Sequence, residues 1–230
     1  MKKIVSLIMC LCSVYANSQE GIPFFVNYPA SVYQAHNRNF DVVCDSCGNV
    51  YFANFEGILH YDYSRWETIY TPGFSRVTRL FRDSEGRIWV GGYNVFGRIE
   101  RDGRGCITLR TLLSDLDTNF LGELEDMAEI DKRIYLKATS GGYYTVQSDS
   151  ILAPVQVLPA QLQEKWRNQS SVSMNRAFSL PGGETISINS AHGLIMDDSG
   201  KKERFSVTER NGLCSNAVSG IAADGRGNLW

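Results

Sequence analysis

No long helical period runs through this 230-residue sequence. The one helix-like stretch is Ala160-Gln161-Leu162-Gln163-Glu164-Lys165-Trp166, a turn or two inside a connection. A coiled coil, a kinase bundle and a helix-turn-helix are therefore excluded from these residues. Catalytic constellations are missing too. There is no phosphate-cradling Gly-rich loop with a lysine, no nucleophile elbow and no His-Glu-x-x-His. His36, His60 and His192 stand alone and read as loop or surface positions. A Lys/Arg stripe is also lacking: 23 basic residues face 25 acidic ones, which argues against nucleic-acid binding by this segment. The expectation is no catalytic residue, no cofactor and no metal, with ligand-binding residues left unassigned.

The apolar run at the N-terminus is short. Lys2 and Lys3 precede Ile4 to Tyr15, which is too short for a stable bilayer span. Ala16 and Ser18 supply small residues for cleavage before Gln19, with cleavage after Ala16 as the alternative. Residues 1–18 are thus read as a signal peptide. A lipoprotein signal fails, because Cys10 follows Met9 and Cys12 follows Leu11 where a small residue is needed. Removing Lys2 and Lys3 leaves a net charge of about −4 and the cysteines Cys44, Cys47, Cys106 and Cys214.

What is present is a repeat. A short apolar strand, an Asp-x-x-Gly turn and an aromatic-bearing strand recur as Asp45 to Tyr51, Asp83 to Trp89 and Asp224 to Trp230. Weaker copies hold Tyr135 and Ile186, so equivalent positions are spaced 38, 46, 51 and 44 residues apart. That interval suits a four-stranded antiparallel unit of roughly 40–50 residues, the size of a propeller blade. Blades are expected near 40–70, 76–110, 123–157, 175–207 and 216–230, within a domain spanning 19–230. A glycine opens each third strand, at Gly57, Gly97, Gly142 and Gly193, where a tight turn is expected.

The second strands, such as Ile88-Trp89-Val90, are apolar without alternation. Strands covered on both faces read that way, and the middle strands of a propeller blade are so covered. An ordinary β-sandwich is the alternative. The 21 glycines and 11% aromatics agree with many short strands and turns. The fold class is therefore all-β, a β-propeller with about four and a half blades.

At about 45 residues per blade, a seven-bladed ring needs roughly 315 residues. About 212 remain after the signal, and Trp230 ends the chain within a second strand. The segment is therefore expected to be the N-terminal piece of a longer protein. A closed four-bladed ring would leave the fifth copy without a purpose.

Cys44-Asp45-Ser46-Cys47 is the one sharp-looking chemical motif. Zinc needs two further ligands at sensible spacing, and none is near. A redox dithiol of the thioredoxin kind sits at a helix N-terminus, whereas this pair lies on a hairpin turn. The two are read as turn residues, with a local disulfide left open by the oxidising compartment. Exposed aromatics such as Tyr93 and Trp166 could line a ligand groove, although core packing is their commoner use.

Val77 to Ile99, with its RDSEGRIWVGG core, resembles the two-component-regulator propeller repeat. Asn211-Gly212-Leu213 and Ser215 to Val218, leading into Asp224 to Trp230, resemble it again. Gly21 to Tyr28, followed by YFANFEGILHYD at 51–62, resembles the start of Bacteroidetes hybrid two-component sensors and triple-tyrosine regulators. The sialidase repeat fits less well, since it places aspartate two residues before glycine and here the separation is three. The resemblance implies a periplasmic sensor propeller anchored in the inner membrane through downstream parts. A β-sandwich, a transmembrane helix and a histidine kinase or helix-turn-helix output follow in such proteins; any kinase activity would lie there. It also implies a small-molecule or oligosaccharide ligand, often linked to carbohydrate use, and a possible homodimer of the full-length protein. The alternative is an exported carbohydrate-active or carbohydrate-binding propeller.

Overall fold

Each Asp-x-x-Gly turn is tied by its own aspartate. In the computed structural model Asp83 Oδ1 accepts the amides of Glu85 at 3.0 Å and Arg87 at 2.8 Å. Its Oδ2 accepts Arg87 Nε at 2.6 Å and the indole Nε1 of Trp89 at 2.8 Å. Asp45 repeats this with Cys47 and Asn49, and receives the Tyr51 hydroxyl at 3.3 Å. Asp224 repeats it with Arg226 and Asn228, and receives Trp230 Nε1 at 2.9 Å. The glycine takes the left-handed conformation that lets the loop close, at φ 88, 81 and 84 for Gly48, Gly86 and Gly227. The position six after the aspartate therefore needs a large ring with a polar hydrogen, which Tyr and Trp have and Phe lacks.

The structure describes residues 26–113, 121–147, 150–152, 155–168, 176–179, 185–189, 193–197 and 204–230. The predicted signal peptide, residues 21–25, His192 and the turn at 181–184 lie outside them.

Four four-stranded antiparallel sheets result, each ordered as the chain runs. The first holds β1 (Asn39–Cys44), β2 (Val50–Asn54), β3 (Gly57–Tyr61) and β4 (Trp66–Ile69). The second holds β5 (Val77–Arg82), β6 (Ile88–Gly92), β7 (Val95–Arg101) and β8 (Ile107–Thr111). The third holds β9 (Leu124–Ile130), β10 (Arg133–Ala138), β11 (Tyr143–Gln147) and β12 (Ser150–Leu152). The fourth holds β13 (Arg176–Ser179), β14 (Thr185–Asn189), β15 (Gly193–Asp197) and β16 (Arg204–Val207). A short helix α1 (Ala30–Tyr33) precedes them, and α2 (Ala160–Asn168) lies between the third and fourth. No helix of the described residues is long and apolar enough to cross a membrane.

These sheets are propeller blades, packed face to face. Tyr51 and Ala53 of β2 share a core with Val77, Leu80, Ile88 and Val90 of the second blade. Trp89 and Phe96 share the next core with Leu124, Met127, Ile134 and Leu136 of the third. Alternate residues of β6 thus face opposite neighbours, which is why the strand is apolar throughout. Fully burying each such side chain contributes roughly 1.5–3 kcal/mol. Inner strands are also stitched across blades: Leu80 N donates to Asp41 Oδ2 at 3.1 Å, and Thr78 Oγ1 donates to the Leu124 carbonyl at 3.2 Å.

Tyr51, Trp89 and Tyr135 fall on β2, β6 and β10, the second strand of each sheet. Among the described residues, no strand of a further blade shares the core around Tyr135. Tyr135 packs instead against Leu158, Leu162 and Trp166, so α2 covers the outer face of the third blade. At the other end, a C-terminal hairpin pairs Ala222 with Trp230 and sits between two blades. Ala222 and Trp230 pack on Val42, Cys44 and Val50 of the first blade, while Val218 and Ile221 pack on Ile186 and Ile188 of the fourth.

Gly57 and Gly193 open β3 and β15 with positive φ, 140 and 70, as a tight turn requires, and close packing adds a second constraint on the third-strand glycines. Gly97 lies inside β7, not at its start. A Cβ on Gly57, Gly97 or Gly193 would come within 2.5 Å of the carbonyl of Ile69, Arg110 or Val207. The fourth strand approaches too closely for any side chain there.

Candidate functional site

In the first and second blades the connections from second to third strand, and from fourth strand to the next blade, lie at one end of the sheets. Asn39 pairs with Asn54 at that end of the first blade, and Val77 pairs with Gly92 in the second. The Asp-x-x-Gly turns lie at the opposite end. The two ends differ in kind. One is tied down by aspartates. The other displays Phe55, Tyr70, Phe74 and Tyr93, all exposed.

Tyr93 is the best-organised of these. It is 47% exposed, directly after β6, and bridges to Glu123 of the third blade. The guanidinium of Arg76 lies 5.2 Å from the centre of its ring. Arg76 also donates two parallel hydrogen bonds to Glu123, Nε to Oε1 and Nη2 to Oε2, both at 3.0 Å. Those bonds hold the Glu123 carboxyl below its ordinary range, against the burial that opposes them. Arg79 and Arg38 add positive charge around it. Asn94 closes the corner: its backbone N donates to the Gly122 carbonyl at 2.8 Å, and its side-chain Oδ1 accepts Gly122 N at 3.1 Å. The corner therefore offers one ring face, a paired guanidinium and carboxylate, and a side-chain amide.

The neighbouring loops are held just as firmly. Asn54 is completely buried and donates from Nδ2 to the His36 carbonyl at 2.6 Å and to Asn39 Oδ1 at 2.8 Å. Its Oδ1 accepts Glu56 N at 2.9 Å. That clamp sets Phe55, whose ring lies 4.6 Å from the His36 imidazole.

Of the two aromatics singled out from sequence, the structure separates the roles. Tyr93 is on the displayed end. Trp166 is 2% exposed, stacks on Tyr143 at 5.4 Å and donates Nε1 to Asp126 Oδ2 at 2.7 Å. Cys44 is buried on β1 and Cys47 is exposed on the turn, and both are free thiols. Burial, with Asp224 and Asp45 nearby, pushes the Cys44 thiol up to about 12, so it is a poor nucleophile. Among the described residues, no cluster of three His, Cys, Asp or Glu side chains could hold a metal ion.

His60 is not on the surface as its sequence position suggested. It is 3% exposed on β3, and neither ring nitrogen has a hydrogen-bond partner. Glu67 Oε2 lies 3.9 Å from Nδ1. Arg76, Glu123 and Asn94 were not anticipated. Arg76 and Asn94 flank strands of the second blade and Glu123 precedes the third, and only their three-dimensional meeting marks them.

Residues 72–94 match the family model described as the two component regulator propeller. The matched stretch contains β5, the Asp83 turn, β6 and Tyr93. No curated protein matches the chain significantly. Among solved structures, the extracellular domain named as that of a hybrid two component system from B. thetaiotaomicron aligns at 16% identity and a TM-score of 0.39. That alignment covers 84% of this chain and 26% of the other. The extracellular domain named as that of a one component system from the same organism aligns at 12% identity and 0.44, covering 85% and 26%. A streptogramin B lyase aligns at 16% identity and 0.40, covering 90% and 64%. The chain spans about a quarter of the length of the first two.

Proposed function

We propose that this chain is the extracytoplasmic ligand-recognising segment of a transmembrane two-component-type signalling protein, and that its ligand is a carbohydrate. The regulator-propeller match at 72–94 supports the signalling role. The corner built from Tyr93, Arg76, Glu123 and Asn94 carries the ligand reading. A sugar presents flat C–H faces and arrays of hydroxyls. An exposed tyrosine ring accepts the first; a guanidinium–carboxylate pair and an amide bind the second. Glu123 is held ionised by Arg76, so it accepts hydrogen bonds well and donates a proton poorly. That is the chemistry of binding without turnover.

The test is calorimetric titration of the purified chain with a panel of oligosaccharides. Binding of at least one is expected, unchanged sugar is expected on recovery, and Tyr93→Ala should weaken it about tenfold through lost ring contact. No binding across the panel, or binding indifferent to Tyr93→Ala, overturns the ligand reading. Reading the gene beyond codon 230 tests the signalling role separately. A membrane span followed by a kinase or DNA-binding output is expected, and an immediate stop codon counts against it.

A further inference from the structure

The C-terminal hairpin and the first blade enclose a second chamber, separate from the Tyr93 corner. Its volume is about 340 Å³, within the range of small-molecule sites. Its walls come from Tyr28, Phe52, Trp66 and Trp230, with Met196 and Ile221 closing the far side. The rings are organised. Tyr28 stacks on Trp230 at 6.0 Å and meets Trp66 edge-on at 5.3 Å, and Trp66 stacks on Tyr61 at 4.4 Å. This chamber adjoins a more polar one of about 380 Å³, which shares Tyr28, Leu229 and Trp230 and adds Tyr63, Asn228 and Arg226.

Arg226 is the informative residue. The turn does not need its side chain: the equivalent position is Cys47 in the first blade and Glu85 in the second. The carboxylate of Asp224 is fully committed elsewhere. It accepts the amides of Arg226 and Asn228, Asn228 Nδ2, Trp230 Nε1 and the Tyr63 hydroxyl. Among the described residues, no carboxylate lies within ion-pair distance of the Arg226 guanidinium. It rests instead 3.9 Å over the Tyr63 ring. Tyr63 holds that ring in place from a left-handed backbone, φ 68, which a tyrosine adopts only at a cost.

We infer that these adjoining chambers form a binding site for an aromatic monocarboxylate: a flat apolar ring among Tyr28, Trp66 and Trp230, and a carboxylate on Arg226. A planar guanidinium pairs with a carboxylate through two parallel bonds, and Asn228 supplies an amide beside it. This site is independent of the carbohydrate reading. Because its walls come from the first blade, the fourth blade and the hairpin, occupation should tie the three together and raise stability by mass action.

The experiment uses the whole chain with 3-phenylpropionate and indole-3-acetate as probes, and their uncharged amides as controls. Quenching of tryptophan fluorescence and the melting temperature are the readouts. The acids should quench, raise the melting temperature and bind about tenfold tighter than the amides. Arg226→Gln, at an exposed position, should equalise acid and amide. Val218→Trp should fill the chamber and abolish binding of both, while Tyr93→Ala should leave it unchanged. Equal binding of acid and amide by the unaltered chain, an acid preference that survives Arg226→Gln, or no binding at millimolar probe would each overturn the inference.

Discussion

Replacing Asp83 by alanine should cost far more than an ordinary surface-turn substitution. The carboxylate accepts four hydrogen bonds, and they are not equivalent. The amides of Glu85 and Arg87 sit on a solvent-facing turn, where water replaces the lost acceptor. Arg87 is partly exposed and is rehydrated likewise. Trp89 is different: its indole lies in the core between the second and third blades, where no water follows. Leaving that N–H unmet costs about 1–3 kcal/mol, and the weakened turn adds about 1 kcal/mol more. The total of about 2–4 kcal/mol corresponds to a drop of roughly 10 °C in melting temperature for a chain of this size. Asp83→Asn keeps the shape and one acceptor oxygen, so about half that loss is expected.

Urea unfolding followed by circular dichroism measures this in a double-mutant cycle with Trp89→Phe, which removes the donor. The two substitutions should couple by about 1–2 kcal/mol, because each removes the same bond. The three copies should also rank. Asp83→Ala should cost most and Asp45→Ala least, since Tyr51 donates from 3.3 Å where Trp89 donates from 2.8 Å. Additivity of the Asp83 and Trp89 effects within about 0.5 kcal/mol would refute the reasoning. A pH limb checks it independently. Burial alone would raise the Asp83 carboxyl, but the bonds from Trp89 and Arg87 outweigh burial and hold it below its ordinary range. Its stabilisation is therefore present above about pH 4 and is lost as pH falls through the native value. In Asp83→Asn that acid limb should be shallower.

His60 has its basicity lowered by burial and lacks a hydrogen-bond partner, so the native state resists its protonation. Stability should be full above pH 6.5, the ordinary histidine value, and fall as the solution is acidified below it. His60→Leu should remove that part of the pH dependence in melting curves, and an unchanged slope from pH 7 to 5 would contradict it. Gly97→Ala should destabilise by about 3 kcal/mol, because its Cβ would collide with the Arg110 carbonyl. Gly103→Ala, where no atom lies within 4 Å, should change stability by less than about 0.5 kcal/mol. Elemental analysis of the purified chain should find no stoichiometric zinc, and zinc lost on Cys47→Ser would overturn the reading of Cys44 and Cys47 as turn residues.

The repeat carried the blades because a turn, a strand length and a two-sided apolar pattern are all local properties. Asp83, Gly86 and Trp89 lie within seven residues, and their bonds stay within that span. The same chemistry recurs at Asp102-Gly103-Arg104-Gly105 between β7 and β8, where Asp102 Oδ1 accepts the amides of Arg104 at 2.8 Å and Cys106 at 2.9 Å. That copy was readable as Asp-x-x-Gly and lacks only the aromatic. The third blade departs for an equally local reason. Asp131 and Lys132, at φ 50 and 62, make a two-residue hairpin turn that needs no aspartate bridge. What no local pattern supplies is the partner across a blade boundary. Arg76 and Glu123 are 47 residues apart, and Tyr63 and Asp224 are 161 apart. Nothing in either neighbourhood distinguishes these side chains from other surface arginines, glutamates and tyrosines. Trp166 shows the same limit from the other side. A helix of two turns with one tryptophan reads as surface until Tyr135 and Tyr143 are seen to leave a face uncovered, and then its burial follows from the third blade's need for a neighbour.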